Sequence, residues 1–212
     1  MLTLAGEAIL AGDSPVSVIT NQIMKYQFPS AFSVSRGVSV HERFSIRPFR
    51  FLLRLLMDHR IKYLAQEEIA KVIITYAEKE NNSCYESVVN RLLDFRDRGD
   101  ISLESDFVEK FRPSRGTINP DYPYRHLEDC ANTLENWMEY TQLCHRVEGK
   151  LVILDDKIEE VRSILENPTP FIDRPAHHEY YQRKFGLDTK HKKDTRDLTK
   201  AKTITARIKI GR

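Results

Sequence analysis

The sequence predicts a mainly α-helical protein with short β-hairpins and with subdomains of the winged-helix or helix-turn-helix kind. Most of the chain has apolar residues at intervals of three and four, which is the period of a helix packed on one face. One segment, residues 127–165, instead changes from helix to strand, turn, strand and helix. With 41% hydrophobic and 30% charged residues, the 212-residue chain has the composition of an ordinary globular protein.

Residues 127–165 carry the clearest pattern. Their first helix has one apolar face, formed by Leu127, Cys130, Ala131, Leu134, Met138 and Thr141. A tight turn is expected at residues 148–150, where Gly149 allows positive φ, and an apolar run of strand length follows at residues 151–154. Asp155 is expected to cap the last helix. This is the order of parts in a winged-helix unit, whose usual partner is duplex DNA, although wings also serve in protein contacts.

Residues 1–29 are interpreted as the end of a preceding winged-helix-like subdomain. They predict a short helix that stops at Gly12 and a second helix that Ser14 caps. Because the first helix begins so abruptly, we expect a longer parent protein with residues before Met1.

Residues 30–47 form a connecting loop without a steady apolar period. Small residues such as Ser33, Ser35 and Gly37 let a backbone approach closely, and four other side chains are donors that reach phosphates or guanine edges. These candidate DNA-binding residues are Arg36, His41, Arg43 and Arg47. The alternative is a solvated connector, because loops are commonly polar for solubility alone.

Residues 48–110 predict a helical subdomain of three helices. Pro48 begins the most apolar helix, and Tyr63 opens the second. Ser83 is expected to cap the third helix and Gly99 to end it. In a three-helix DNA reader the third helix carries the base-reaching side chains, which here are Asn90, Arg91, Arg96 and Arg98. The alternative is that these residues only keep the surface soluble.

Residues 111–175 are assigned to the winged-helix subdomain, and residues 176–212 to an aromatic helix with a basic tail. Arg112 and Arg115 lie on a Ser, Gly and Pro loop that is well placed for phosphate if the loop faces the duplex. Residues 183–212 hold 11 Lys or Arg against three Asp, so residues 1–182 carry −6 of a net charge of +2. The candidate phosphate contacts of the tail are Lys190, Lys192, Lys193, Arg196, Lys200 and Lys202. The alternative is a solvated terminus without a ligand.

Other patterns exclude several classes of protein. The three cysteines, Cys84, Cys130 and Cys144, are too few and too scattered for a disulfide framework or a zinc ribbon, and each is expected to be a buried small hydrophobe. No apolar run approaches a membrane span and no signal peptide is visible, so we expect a cytoplasmic protein. Trp137 is expected to pack in the core or between subdomains.

The order of several stretches in this chain resembles that of one known protein family. The stretches include Pro48-Phe49-Arg50-Phe51 and Glu179-Tyr180-Tyr181, within residues 2–6, 22–30, 45–56, 64–74, 86–96, 140–143 and 179–181. Together they resemble the recognition region of AlwI-type type IIS restriction endonucleases and of related nicking endonucleases. The match consists of helices and aromatic positions and includes no catalytic signature.

The resemblance implies a DNA-recognition fragment of a type II site-specific deoxyribonuclease, with the nuclease domain outside this chain. In that family, winged-helix-like subdomains bind an asymmetric duplex site, and a separate domain cuts at a fixed distance. Mg²⁺ is expected for the nuclease domain, and no cofactor is expected in this chain. The expected partner is double-stranded DNA, bound by a monomer, with a nuclease domain or subunit in the full protein and no membrane.

The nuclease signature of that family has one local match. Its metal site needs an Asp and then a Glu-x-Lys on a neighbouring strand, and Glu148-Gly149-Lys150 fits the last part. These residues fall on the predicted hairpin turn, where Glu and Lys point to solvent, and the turn interpretation is preferred. The fragment itself is therefore predicted to be non-catalytic. The rival functions are a winged-helix transcription regulator, a protein-interaction module and a self-contained nuclease.

Overall fold

A computed structural model of the chain describes residues 4–30, 42–99, 107–111, 117, 119, 121–167 and 171. The chain forms two compact units, one of residues 1–42 and 168–212 and the other of residues 43–167. In the first unit, α1 (Leu4–Leu10) precedes α2 (Pro15–Lys25). The two predicted helices are confirmed: Gly12 has a φ of +102° after α1, and the Ser14 hydroxyl caps α2 by accepting from the Ser17 amide.

The second unit contains six helical segments among the described residues. They are α3 (Pro48–Met57), α4 (Gln66–Glu68, Ile69–Ile73 and Ile74–Tyr76, the middle part a π-helix), α5 (Asn82–Arg98), α6 (Phe107–Lys110), α7 (Arg125–Tyr140) and α8 (Ile158–Glu166). A 3-10 turn, Asp155–Lys157, leads into α8. The predominance of helix that the apolar spacing predicts is confirmed.

A small antiparallel sheet of three strands completes this unit. Its strands are β1 (Leu64–Ala65), β2 (Cys144–Val147) and β3 (Lys150–Ile153), in the order β1-β3-β2. β1 comes from the segment predicted as a helical subdomain, yet Leu64 lies opposite Leu151 in the following segment. The predicted boundary at residue 110 therefore falls inside a unit that shares one sheet. The division of the chain into five segments stays a prediction.

The core of the second unit forms where α3 meets the other elements. Pro48 stands in the first turn of α3, and Leu52, Leu53 and Leu55 are fully buried, which confirms the prediction of a buried apolar helix. The other large side chains that are fully buried here are Ile61, Leu64, Ile69, Leu92, Met138, Leu143 and Leu151. α4, α5, α7 and both long strands thus pack their apolar residues into one core.

The hairpin of β2 and β3 turns at Glu148 and Gly149. Both residues have positive φ, 51° and 75°, as a two-residue hairpin turn requires, and Gly149 has no Cβ that would resist this conformation. The predicted turn is confirmed, but Lys150 belongs to β3 and pairs with Val147.

Four details of the helices differ from the prediction. Asn81, not Ser83, caps α5, because its side chain accepts from the Cys84 amide at 2.9 Å. Asp155 makes no capping bond, since it lies inside the 3-10 turn. Cys130 is exposed, because the inner face of α7 runs through Leu127, Ala131, Glu135 and Met138. Cys84 is only partly buried, whereas Cys144 is buried as predicted and Gly99 ends α5 with a φ of +76°.

Candidate nucleic-acid interface

Most of the predicted DNA-binding residues lie outside the described residues. These are Arg36, His41, Arg112, Arg115, Lys190, Lys192, Lys193, Arg196, Lys200 and Lys202. The predicted aromatic helix after residue 176 also lies outside them. Arg43, Arg47, Asn90 and Arg91 are described, and all four belong to the second unit.

Arg43 and Arg47 form ion pairs with the segment that follows α4. Arg43 Nε lies 3.2 Å from Glu78 Oε1. Arg47 holds Glu80 with two nitrogens, Nε at 2.8 Å from Oε1 and Nη2 at 2.5 Å from Oε2. The Ser45 amide also donates to the Glu78 carbonyl at 2.8 Å. These arginines therefore attach the start of the unit to residues 78–80, and a phosphate would have to displace Glu78 or Glu80.

α5 presents Asn90 to solvent and lays the Arg91 guanidinium 3.8 Å from the centre of the Tyr76 ring. Arg96, in contrast, is not a base-reaching residue. Its guanidinium binds both oxygens of the buried Glu68, at 2.6 and 3.1 Å. It also donates to the carbonyls of Ile61 and Tyr63. Four of the five guanidinium N–H groups of Arg96 are thus used inside the unit, which corrects the prediction for Arg96.

α7 also has a polar outer face, whereas the sequence analysis looked for base-reaching side chains on α5. Opposite its buried face it exposes Asp129, Asn132, Thr133, Asn136, Trp137 and Tyr140. The hairpin follows directly, and Val147 at the end of β2 is exposed as well. Short polar side chains at intervals of three and four, opposite an apolar stripe, were the available sequence signal for this face.

Arg146 of β2 links the hairpin to this helix. Its Nη2 donates to Asn136 Oδ1 at 2.7 Å, and its Nη1 donates to Asn132 Oδ1 at 3.3 Å. The Glu139 carboxylate holds the same arginine, accepting from its backbone amide at 3.0 Å, from Nε at 2.9 Å and from Nη2. Arg146 lowers the pKa of Glu139 by these hydrogen bonds. The strand and the helix are thereby fixed to each other at the exposed surface.

Glu135 lies on the inner side of this network, with 1% of its side chain exposed. Its Oε2 is 3.5 Å from Arg146 Nη1, and its Oε1 has no hydrogen-bond partner. Burial raises the pKa of Glu135 to about 7, although the positive charge of Arg146 acts in the opposite direction. The sequence analysis did not single out Glu135. Its spacing places it on the apolar face of α7, but a buried carboxylate is rare, so a glutamate at this position is not expected to be buried.

Trp137 is exposed, contrary to the prediction that it packs in the core or between subdomains. It keeps 44% of its surface accessible and meets Tyr140, also exposed, edge to face with ring centres 5.9 Å apart. The neighbouring position Met138 carries the packing instead, since it is fully buried. The outer face of α7 thus ends in two aromatic rings.

The charge of the second unit does not favour phosphate. Residues 43–167 contain 19 Lys or Arg and 23 Asp or Glu. Among the described cations, Arg60, Lys71, Lys157 and Arg162 bind carboxylates of the same unit, as do Arg43, Arg47, Arg96 and Arg146. The α7 face itself exposes two amides, Asn132 and Asn136, and one carboxylate, Asp129, and the neighbouring Arg146 is paired with Glu139.

Neither a cluster of metal-ligating side chains nor a membrane-spanning helix is found among the described residues. Glu148 and Lys150 are exposed at the hairpin turn, and Lys150 Nζ lies 4.5 Å from the Tyr63 ring centre. No group of three or more His, Cys, Asp or Glu in the described ranges is placed to hold a metal ion. Nor does any helix in those ranges have the length and apolar character needed to cross a membrane.

Comparison with known proteins gives a family match over more than half of the chain. Residues 16–142 match a family model described as type II restriction endonuclease HgaI, N-terminal domain. The matched region runs from α2 through α7 and ends two residues before β2. A search of curated proteins finds no match to the chain.

Proposed function

Because this chain belongs to the family of the type II restriction endonuclease HgaI N-terminal domain, we propose that it recognises a specific sequence in double-stranded DNA. It does so as the recognition part of a type IIS enzyme or of a nicking relative, of the AlwI-type that the sequence resembles. Mg²⁺-dependent cleavage belongs to a separate nuclease domain. The observation that carries the proposal is the exposed amide-rich face of α7 next to the β2-β3 hairpin.

The order of elements supports a winged-helix interpretation of the second unit. A helix, a short strand and a second helix come first, as α3, β1 and α4. A helix followed directly by a hairpin comes later, with α8 after it, and the early strand pairs with the second strand of that hairpin. α5 and α6 are then additions in the middle. In such a unit the helix before the hairpin is the one that enters the major groove, so α7 takes that place.

Phosphate contacts come from elsewhere in the chain. Residues 43–167 are acidic overall, so the long-range attraction to DNA is assigned to the basic tail and to the loop of residues 30–47. The tail neutralises phosphates and holds the protein on the duplex, while α7 reads base edges. A cytoplasmic location, where such an enzyme meets foreign DNA, belongs to the same proposal.

The test measures duplex binding by the whole chain over a series of salt concentrations. We expect affinity to fall steeply with salt, because each neutralised phosphate releases counterions. Changing Lys190, Lys192, Lys193, Arg196, Lys200 and Lys202 to Gln keeps the chain length, and it is expected to weaken binding to all sequences alike and to flatten the salt slope. Equal affinity of both proteins at every salt concentration would remove the tail from the proposal. Absence of duplex binding would overturn the function.

A protein-interaction module is the second candidate, favoured by the exposed pair of Trp137 and Tyr140 and by the acidic balance of residues 43–167. Such a module would bind a partner protein through the aromatic rings and would show no salt-linked affinity for DNA. The same titration therefore separates the two functions.

A further inference from the structure

We propose that Asn132 and Asn136 read hydrogen-bond acceptors on base edges, above all N7 and O6 of guanine, because Arg146 holds both amide oxygens. This inference rests on the proposed function and names the chemistry of its base contacts. It also makes Arg146 a positioning residue, which acts through the two asparagines.

The orientation of both amides follows from the chemistry of arginine. A guanidinium has donors and no acceptor, so the atom of each Asn that faces it must be the carbonyl oxygen. Arg146 Nη2 lies 2.7 Å from Asn136 Oδ1, and Nη1 lies 3.3 Å from Asn132 Oδ1. Each Nδ2 group is then on the opposite side of its amide. No described side chain accepts a hydrogen bond from either Nδ2, and both asparagines are exposed.

Arg146 is itself held in place before any ligand arrives. Glu139 accepts from its backbone amide, its Nε and its Nη2, and the backbone of Arg146 is fixed by pairing with Leu151 in β3. Its side chain is 30% exposed, so the guanidinium is accessible but not freely mobile. Ordering the two amides on binding therefore costs little conformational entropy. A larger share of the interaction free energy then contributes to affinity than for two freely rotating side chains.

The spacing of the two asparagines fits neighbouring base pairs. Four residues span about 6 Å along a helix axis, and base pairs are stacked at about 3.4 Å. The two Nδ2 groups thus address positions no more than about two base pairs apart. Thr133 and Tyr140 lie beside them on the same face, and Trp137 lies at its edge.

The held oxygens decide which base is favoured. Asparagine commonly reads adenine with both ends of its amide, accepting from N6 and donating to N7. Here the oxygen is occupied by Arg146, and the donor alone remains for DNA. Guanine offers two acceptors, N7 and O6, in the major groove, so a donor-only amide favours guanine over adenine.

The experiment selects bound duplexes from a random pool with the wild-type chain and with N132D, N136D and N82D. The Asp variants keep the shape and the contact with Arg146 but replace the outer donor by an acceptor. We expect preference at one position to move from guanine to cytosine, whose N4 amino group is a donor. N82D introduces the same charge change at an exposed asparagine of α5 whose amide oxygen is likewise held by an arginine, Arg54, and it is expected to leave the selected sequence unchanged.

Two further measurements keep the test decisive. With the wild-type chain, 7-deazaguanine at the selected position removes N7 and is expected to weaken binding about tenfold, whether or not the variants fold. R146Q frees the amide oxygens and is expected to move the preference toward adenine. A selected site that lacks guanine, or one that 7-deazaguanine leaves unaffected, overturns this inference but not the proposed function. A chain that binds no duplex overturns the function itself.

Discussion

Two arginines of the second unit make almost the same contacts in different surroundings. Arg96 of α5 and Arg146 of β2 each hold a glutamate through more than one nitrogen. The carboxylate of Glu68 is 5% exposed and that of Glu139 is 32% exposed. Arg96 spends its remaining donors on the carbonyls of Ile61 and Tyr63, whereas Arg146 spends them on exposed amides.

The difference shows that an ion pair does not by itself indicate a functional surface. Arg96 satisfies backbone groups between α3 and α4 that would otherwise be buried without partners, so its role is in folding. Arg146 leaves the Nδ2 donors of two exposed side chains available, so its role is in presenting a surface. What separates the two cases is whether the contacts of the arginine end on buried carbonyls or on side chains that still face solvent.

The largest effect is expected when the buried pair is broken. E68A leaves Arg96 without its buried counterion and is expected to lower the free energy of unfolding by about 3–5 kcal/mol. E139A removes a partner that is one-third exposed and is expected to cost about 1 kcal/mol. Urea unfolding followed by circular dichroism measures both. Equal losses would mean that the two arginines do not differ in the way described.

The next effect depends on pH and concerns Glu135. Its folded pKa of about 7 lies above the ordinary value of 4.5, so the folded state holds the proton more tightly than the unfolded state. The resulting stabilisation is complete below pH 4.5 and is lost as the pH rises through 7. E135Q stays neutral and is expected to exceed the wild type in stability at pH 8 by up to about 3 kcal/mol, and by much less at pH 5.

The measurement is the difference between E135Q and wild type in free energy of unfolding at both pH values. Such a comparison cancels other titrating groups that the two proteins share. A difference that is the same at pH 5 and pH 8 would contradict the role assigned to burial.

The smallest effect concerns the hairpin that carries Arg146. Gly149 has a φ of +75°, and the position has open space around it, so G149A adds backbone strain without a clash. We expect a loss of about 1 kcal/mol in the free energy of unfolding. E148G is the matched control, because Glu148 also has positive φ and glycine should relieve its strain. A gain for G149A would show that the turn is not as described.

The helices and the hairpin turn were predictable from local patterns, and the roles of individual polar residues were not. Pro48, Gly99 and Gly149 mark boundaries because each has a backbone preference that acts locally. β1 is only two residues long and exists because of its partner, so no local period reveals it. Arg96 and Arg98 look alike in the sequence, yet tertiary packing turns only Arg96 toward the buried Glu68.

Trp137 and Glu135 show that the hydrophobicity of a side chain does not by itself predict its burial. Both lie on α7 next to apolar positions, and hydrophobicity alone would bury the tryptophan and expose the glutamate. The structure does the reverse, because the helix packs through Leu127, Ala131 and Met138 and the phase of that stripe decides the rest. The predicted face already contained these three residues, so the errors for Trp137 and Cys130 came from judging burial by residue type and from drawing that face too wide.

The pairing of Leu64 with Leu151 has a consequence for how the protein is made. During synthesis β1 emerges from the ribosome long before its partner strand exists, and α8, whose terminal carbonyls receive Arg50 of α3, emerges later still. Early helices must therefore wait for the last third of the unit before the sheet closes. Truncation after residue 110 would yield a nascent chain with an unmatched strand edge, which is a target for chaperones and proteases.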